Sequence, residues 1–292
     1  AALTVATGPG SSIDLDMDGD EGSLLQVAGN INLNLFDFVT LSGDFAFKKA
    51  TGDFTVADGT TSSQLTSVEY LTVGGNITTA SVAAGGVGIT LNGIEFGMVL
   101  VSDEANSVNY TALQASVVSA SLDGIPGLTL TANSLSLLVN KSSDAGNLNK
   151  VLDFADTDDV VNANDAFASA TTVATGPGSS IAIDLDGDEG SLLQLSGSVT
   201  LGVFDLVTLS GDFAFKKATG NFTVADGTTS TQLSSTEYLS VGADISTASV
   251  TVGAVGITLN SIKLGMVLVG DDTNSVNYTA IKASVGSANL TG

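Results

Sequence analysis

The sequence predicts an all-β chain: an elongated tandem-repeat rod of long, mostly antiparallel strands, either solenoid-like or an extended β-sandwich. Three observations carry this. Apolar residues alternate with polar ones at period two almost throughout. The same words return at a fixed spacing. The links between alternating runs are short, which favours antiparallel pairing, because a parallel crossover needs about a dozen residues or more.

The repeat divides the chain. "TVATGPGSSI" at 4–13 returns at 172–181, "LSGDFAFKKATG" at 41–52 returns at 209–220, and "NSVNYTA" at 106–112 returns at 274–280. Each offset is 168 (172 − 4, 209 − 41, 274 − 106), and no gap is needed. Over the 124 aligned positions 89 are identical. Residues 1–168 form the first repeat, with an acidic junction at 153–168, and 169–292 form a second, incomplete copy. The second copy stops at "ANLTG" where the first runs on, which reads as a window onto a longer tandem array. Such arrays are quasi-one-dimensional, each unit packing on its neighbours.

Taken in order, the first element is "IDLDMDGDEG" at 13–22, where Ile13, Leu15 and Met17 alternate with Asp14, Asp16 and Asp18. "VAGNINL", "LSGDFAF", "VGGNITT" and "LNGIEF" each carry a glycine inside a strand-like run, the mark of a bulge, bend or corner. "FAFKK-ATG-DFTV" reads as a hairpin with Gly52 in a three-residue loop. "GMVLV-SDEANS-VNYTALQ" and "SLLVN-KSSDAG-NLNKVLDF" read as two more. "DDVVNANDAFASA" at 158–170 is the one helix candidate, with an acidic start and an alanine-rich end. Phe36, Phe45, Phe47, Phe54 and Tyr70 read as core.

Composition narrows the chemistry. The chain carries 31 Asp+Glu against 8 Lys+Arg, a net charge of −23, and has no Cys, His, Arg or Trp. That charge repels nucleic acid and anionic membranes. Without Cys or His there is no disulfide, thiol nucleophile, imidazole base or soft metal ligand. No run approaches the roughly 18 apolar residues of a helical membrane span, and no signal peptide is visible. No acid–base or nucleophilic constellation gathers, so the chain reads as a non-enzyme.

Oxygen ligands remain, and they suit Ca²⁺. An EF-hand loop wants D-x-D-x-D-G and a glutamate at position twelve. Asp14, Asp16, Asp18 and Gly19 fit the start, but position twelve is Leu25, and Asp14 becomes Ala182 in the second copy. What recurs is Asp16, Asp18, Asp20 and Glu21 as Asp184, Asp186, Asp188 and Glu189. The segment is either a calcium-binding acidic turn or the wet face of a strand ending in an ordinary turn. A second cluster, Asp153, Asp156, Asp158, Asp159, Asn162, Asn164 and Asp165, lies at the junction, and is either a cation site that stiffens one unit against the next or a solvated linker. Asp103/Glu104 and Asp271/Asp272 read as exposed acids at a hairpin tip, and Lys48-Lys49 and Lys216-Lys217 as guards of an edge strand.

The phrases "VTLSGDFAFKKATG", "VGITLNGIEFGMVLVSDEANSVNYTALQAS" and "GIPGLTLTANSLSLLVN" resemble the tandem β-repeats of very large bacterial secreted or cell-surface, adhesin-like proteins, which pair an LSG-x-F-x-F strand with a later PGLTL strand. The resemblance implies an extracellular structural or adhesive role, admits calcium dependence, and carries no catalytic residue. The resulting expectation is a segment of a giant extracellular fibre or surface assembly of a secreted bacterial protein, stiffened by calcium. Its partners are neighbouring copies of the same repeat. The alternative is the stalk of an adhesin whose ligand-binding domain lies outside the chain. A module that recognises a glycan or cell surface ranks third.

Overall fold

The structure is a computed structural model, and it describes residues 3–8, 10–15, 17, 19, 22–35, 39–155, 169–271 and 274–292. The strands are β1 (Leu3–Gly8), β2 (Ser11–Leu15), β3 (Leu25–Leu35), β4 (Val39–Ala57), β5 (Ser62–Ala84), β6 (Val87–Asp103), β7 (Val108–Asp123), β8 (Leu128–Ser142) and β9 (Val151–Asp153) in the first copy. The second copy holds β10 (Thr171–Gly176), β11 (Ser179–Ile183), β12 (Leu192–Val203), β13 (Val207–Ala225), β14 (Ser230–Val252), β15 (Val255–Asp271) and β16 (Val276–Thr291), with a 3-10 turn at Gly187–Glu189. The all-β expectation holds. The helix expected at 158–170 falls almost wholly outside the described residues, as does Phe36.

β3–β8 and β12–β16 form one antiparallel meander in chain order, and β8 pairs with β12, so both copies share a single sheet. β3 and β16 do not pair with each other, and the sheet does not close into a barrel. β5 and β14 are 23 residues each, roughly 75 Å at about 3.3 Å per residue. The second layer is small. The hairpin β10–β11 lies across β4–β6, and β9 extends the sheet by pairing with Thr55–Ala57 of β4. One core cluster therefore spans the joint between copies, from Val56, Val99 and Tyr110 to Leu152, Ile183 and Leu185.

The opposite face carries a continuous apolar row. Phe45, Gly75, Phe96, Ala115, Leu137, Leu195, Phe215, Val241, Met266 and Ile281 stand opposite one another, strand by strand, from β4 to β16. Directly opposed residues share a face. Phe45 and Phe96 meet edge to face at 6.3 Å above Gly75. A Cβ on Gly75 would lie 2.5 Å from the Phe96 ring. In the second copy Phe96 becomes Leu264 and Gly75 becomes Ala243, so the smaller side chain frees the space that the methyl fills. A similar exchange runs across β6–β7. Gly93 (φ +59) lies under Val118, while their counterparts Ser261 and Gly286 exchange which strand carries the small residue.

Several expectations need correction. β4 runs straight through "FAFKKATGDFTV", so no hairpin forms there. The ladder shifts between Gly52 and Phe54. The Asp53 carboxylate accepts from the Ser67 backbone N–H at 2.7 Å, holding Ser67 at φ +51. Asn221 and Ser235 repeat this at 2.8 Å. "SLLVN-KSSDAG-NLNKVLDF" is no hairpin either, because β9 pairs with β4 rather than β8. Gly43 does sit at a register shift and Gly93 at an unpaired step of the ladder. Gly29 and Gly74 pair regularly, without a bulge.

The lysine pairs lie on β4 and β13, inside the sheet, not on edges. Lys49 pairs with Glu69, Lys217 with Glu237 at 2.9 Å, and Lys216 with Glu189 at 2.5 Å, while the Lys48 ammonium sits 5.9 Å from the Tyr70 ring centre. Long strands place cross-strand charges side by side, which answers the lysines without any edge. Asp103 and Asp271 are at hairpin tips as expected, but they are buried. Each accepts from the backbone and side-chain N–H groups of the asparagine three residues on, Asn106 and Asn274.

Candidate functional site

The joint between copies is where the chain gathers its buried polar groups and its closest packing. The seat is the face of β4–β7 that carries Ala46, Gly74, Gly97, Val99 and Ala112. These residues are small or β-branched and leave a flat trough. Val173, Ile181 and Ile183 of the hairpin point into it, and Val173 and Ile183 are 0% exposed. A Cβ on Gly74 would lie 2.1 Å from the Ala174 carbonyl oxygen, and one on Gly97 2.5 Å from Ile181 Cγ2. Glycine inside these strands therefore serves close approach of another backbone, the reading that the sequence pattern left unmade.

The chain leaves the hairpin through the acidic segment. Asp184 is exposed. Leu185 is buried, and its carbonyl accepts from the Phe154 N–H at 2.9 Å. Asp186 caps the 3-10 turn, accepting from Asp188 N–H at 2.9 Å, and Gly190 closes it at φ +64. The Asp153 carboxylate accepts from Gly187 N–H at 3.1 Å. Glu189 pairs with Lys216, and its carbonyl accepts from Thr219 Oγ1 at 3.2 Å. Asp153, the one described residue of the junction cluster, thus meets the acidic segment at Gly187. Beneath them Leu152 is fully buried, with its carbonyl accepting from Asn140 Nδ2 at 2.6 Å. Phe54 joins Phe154 and Tyr70 edge to face.

Of the proposed metal ligands, Asp14 lies exposed on β2 and accepts from Thr4 Oγ1 at 2.5 Å. Asp16, Asp18, Asp20, Glu21, Asp156, Asp158 and Asp159 lie outside the described residues. Among the described residues no group of three acidic side chains is placed to hold a metal ion.

The turn "DGTT" at 58–61, which carries no recognised motif, completes the joint. The Asp58 carboxylate accepts from Thr60 and Thr61 and also from Asn147 Nδ2 at 2.8 Å, and a Cβ on Gly59 would lie 2.6 Å from the Asp188 carbonyl oxygen. Burial works to raise the Asp58 pKa, and these donors outweigh it, holding the carboxyl well below the usual range. At Asp226 the backbone N–H of Thr229 and the donors of Thr228 do the same without the junction contact.

Both pKa values are depressed by folding, so their stabilisation is fully present above the ordinary carboxylate pKa of about 3.9. It is lost as pH falls below that value toward the folded-state pKa. Thermal melts from pH 7 down to pH 2 should fall most steeply below about pH 4. Asp58→Asn combined with Asp226→Asn should flatten that fall, and an unchanged profile would count against these turns as its source.

A cleft of about 580 Å³ lies at one end of the sheet, lined by Thr51, Gln64, Glu69, Asp103 and Asn106. Two of its carboxylates are engaged, Glu69 by Lys49 and Asp103 by Asn106, and a third, Glu104, is exposed. No helix of the described residues is long and apolar enough to cross a membrane. Compared with known proteins, the chain matches no family model, no curated protein and no solved structure.

Proposed function

We propose that the chain is a structural repeat segment of a giant extracellular fibre or surface assembly of a secreted bacterial protein, not an enzyme. The observation that carries this is the joint. A β8–β12 ladder and a seated hairpin merge two copies into one sheet with a shared core, so each added copy lengthens the sheet in its hydrogen-bonding direction. The apolar row on the opposite face, half-buried for most of its length and exposed at Leu195 and Ile281, supports lateral association, since a contiguous apolar patch left uncovered marks an interaction site. Electron microscopy of the purified protein at rising concentration tests the reading. Filaments or laterally paired sheets are expected, and dispersed single particles at high concentration would overturn self-assembly in favour of an adhesin stalk.

Calcium at the acidic segments 14–21, 153–165 and 184–189 is the stiffening part of the same proposal. Its support is charge: a net −23 and carboxylates closely spaced in the sequence of these segments. Melting with calcium should occur at a higher temperature than melting with excess EDTA. Equal melting temperatures would remove calcium and leave the joint to its protein contacts.

A further inference from the structure

The long sheet has two chemically different faces. On β4, Leu41, Gly43 and Phe45 alternate onto the face turned away from the β10–β11 hairpin. Phe45 belongs to the apolar row already described. From Gly43 the ladder leads to Ile77, Ile94, Val117 and Leu135. Beyond Gly197, which packs on Leu135, the same row reaches Phe213 and Leu264. From Leu41 a third row leads through Ala80, Leu91 and Ala132 to Val199, Ile245 and Ile262. None of the three rows carries a polar side chain between β3 and β16. The other face, at the same level, carries Asp44, Asn76, Glu95, Ser116 and Ser136 in the first copy and Asp212, Asp244 and Lys263 in the second.

Everything that packs on the sheet uses the polar side. The hairpin reaches Gly74 and Gly97, β9 reaches Asn140, and the 3-10 turn reaches Lys216, all on that second face. Among the described residues no second-layer element lies on the apolar face. This is not an edge effect, because β5–β8 and β12–β14 are each paired on both sides. Stable β architectures bury an apolar face against a second layer. The eleven strands of the meander, about 4.8 Å apart, and three rows two residues apart make a face of roughly 50 Å by 20 Å, on the order of 1,000 Å². That exceeds the roughly 800 Å² per partner of a standard interface.

We infer that two copies of this chain press these apolar faces together into a two-layer sandwich. Three features select a second copy as the occupant. The rows run unbroken through the β8–β12 ladder from one repeat into the next, so a partner that covers them must repeat at the same pitch. Two identical sheets carry the same twist, which aligned packing at about −30° requires. The chain's net charge of −23 opposes self-association elsewhere, but these rows hold no carboxylate. The contact uses the same patch on both partners and therefore closes. The charged outer faces then stop a third layer from stacking. The pairing rests on the structural reading above and gives its lateral association a partner and a stopping point.

Sedimentation velocity over a range of concentrations tests it, with small-angle X-ray scattering for the thickness of the particle. The unmodified chain should associate into particles two sheets thick, about 10 Å between sheets. Leu195→Glu places a carboxylate on the apolar face, and Thr200→Glu places one on the polar face of the same strand. Leu195 is 47% exposed and Thr200 is exposed, so each glutamate has room in the single chain. Leu195→Glu should raise the dissociation constant at least tenfold, since a buried unpaired charge is costly, while Thr200→Glu should change it less than twofold. Circular dichroism checks that each variant folds, and Leu264→Glu, at a 39% exposed position of the same face, stands in if Leu195→Glu does not. Association that both glutamates leave unchanged, or weaken equally, would overturn the face pairing and leave self-assembly standing. Monomer alone at every concentration of the unmodified chain would overturn both.

Discussion

Gly74→Val should unseat the β10–β11 hairpin, while Gly242→Val, the same change one repeat later, should leave the fold intact. At position 74 the new Cβ meets a backbone oxygen at 2.1 Å. No side-chain rotation relieves that contact, so a backbone must move. Overpacking alone costs about 1–3 kcal/mol. Lifting the hairpin also forfeits the burial of Val173 and Ile183, about 1.5–3 kcal/mol each, so the variant settles between a strained joint and a detached hairpin. At position 242 the methyls enter open space on a strand that favours β-branched residues. Hydrogen exchange at 171–185 and the melting temperature read the difference. Equal effects of the two substitutions would show that the hairpin is not held where it lies.

Leu152→Ala should cost about 2–5 kcal/mol, the range for truncating a fully buried leucine where the site cannot collapse. Leu152 is 0% exposed, on a strand of three residues that pairs with β4. It closes the core against Val56, Val101 and Leu185. Its carbonyl also accepts the buried amide of Asn140, so slippage of β9 strands a polar group as well as leaving a cavity. At roughly 2–4 °C per kcal/mol for a large domain, a fall in melting temperature on the order of 5–15 °C is expected. A fall under about 2 °C would mean that β9 is not part of the cooperative unit. Val82→Ala, on an exposed position of β5, serves as the matched control.

The fold class was legible because period two is a local property that each strand writes into its own sequence. The alignment of the copies even shows two ladder contacts directly, since Gly93/Val118 against Ser261/Gly286 and Gly75/Phe96 against Ala243/Leu264 compensate in size. The joint was not legible. Gly74 and Gly97 look like any strand-breaking glycine until a hairpin from about 100 residues downstream is seen on top of them. The same holds for Gly52, whose three-residue spacing imitates a hairpin loop although β4 continues through it. Alternation reports which residues share a face, not what that face meets. The burial of Asp103 and Asp271 was hidden for a related reason. An acid at a loop tip is ordinarily wet, and only the asparagine three residues on, turning its amide back, makes a dry site tolerable. The acidic segment was half legible. Its recurrence pointed to the joint, and the cap by Asp186 is local, while the parts taken by Glu189 as partner of Lys216 and by Gly187 as donor to Asp153 depend on groups far away in sequence.

The strand order of the sheet follows the order of the chain, and this sets how the sheet would respond to tension. Tension applied along the chain would not shear many ladder bonds at once. It would peel the edge strand from its neighbour, a few bonds at a time, and each strand set free would add several tens of ångströms of extended chain at about 3.3–3.6 Å per residue. A tether built this way gives length under modest force. The seated hairpin changes that in the first copy, because β4, β5 and β6 cannot be stripped in turn while the β10–β11 hairpin lies across all three. Extension would thus proceed in steps, with the joint acting as a catch.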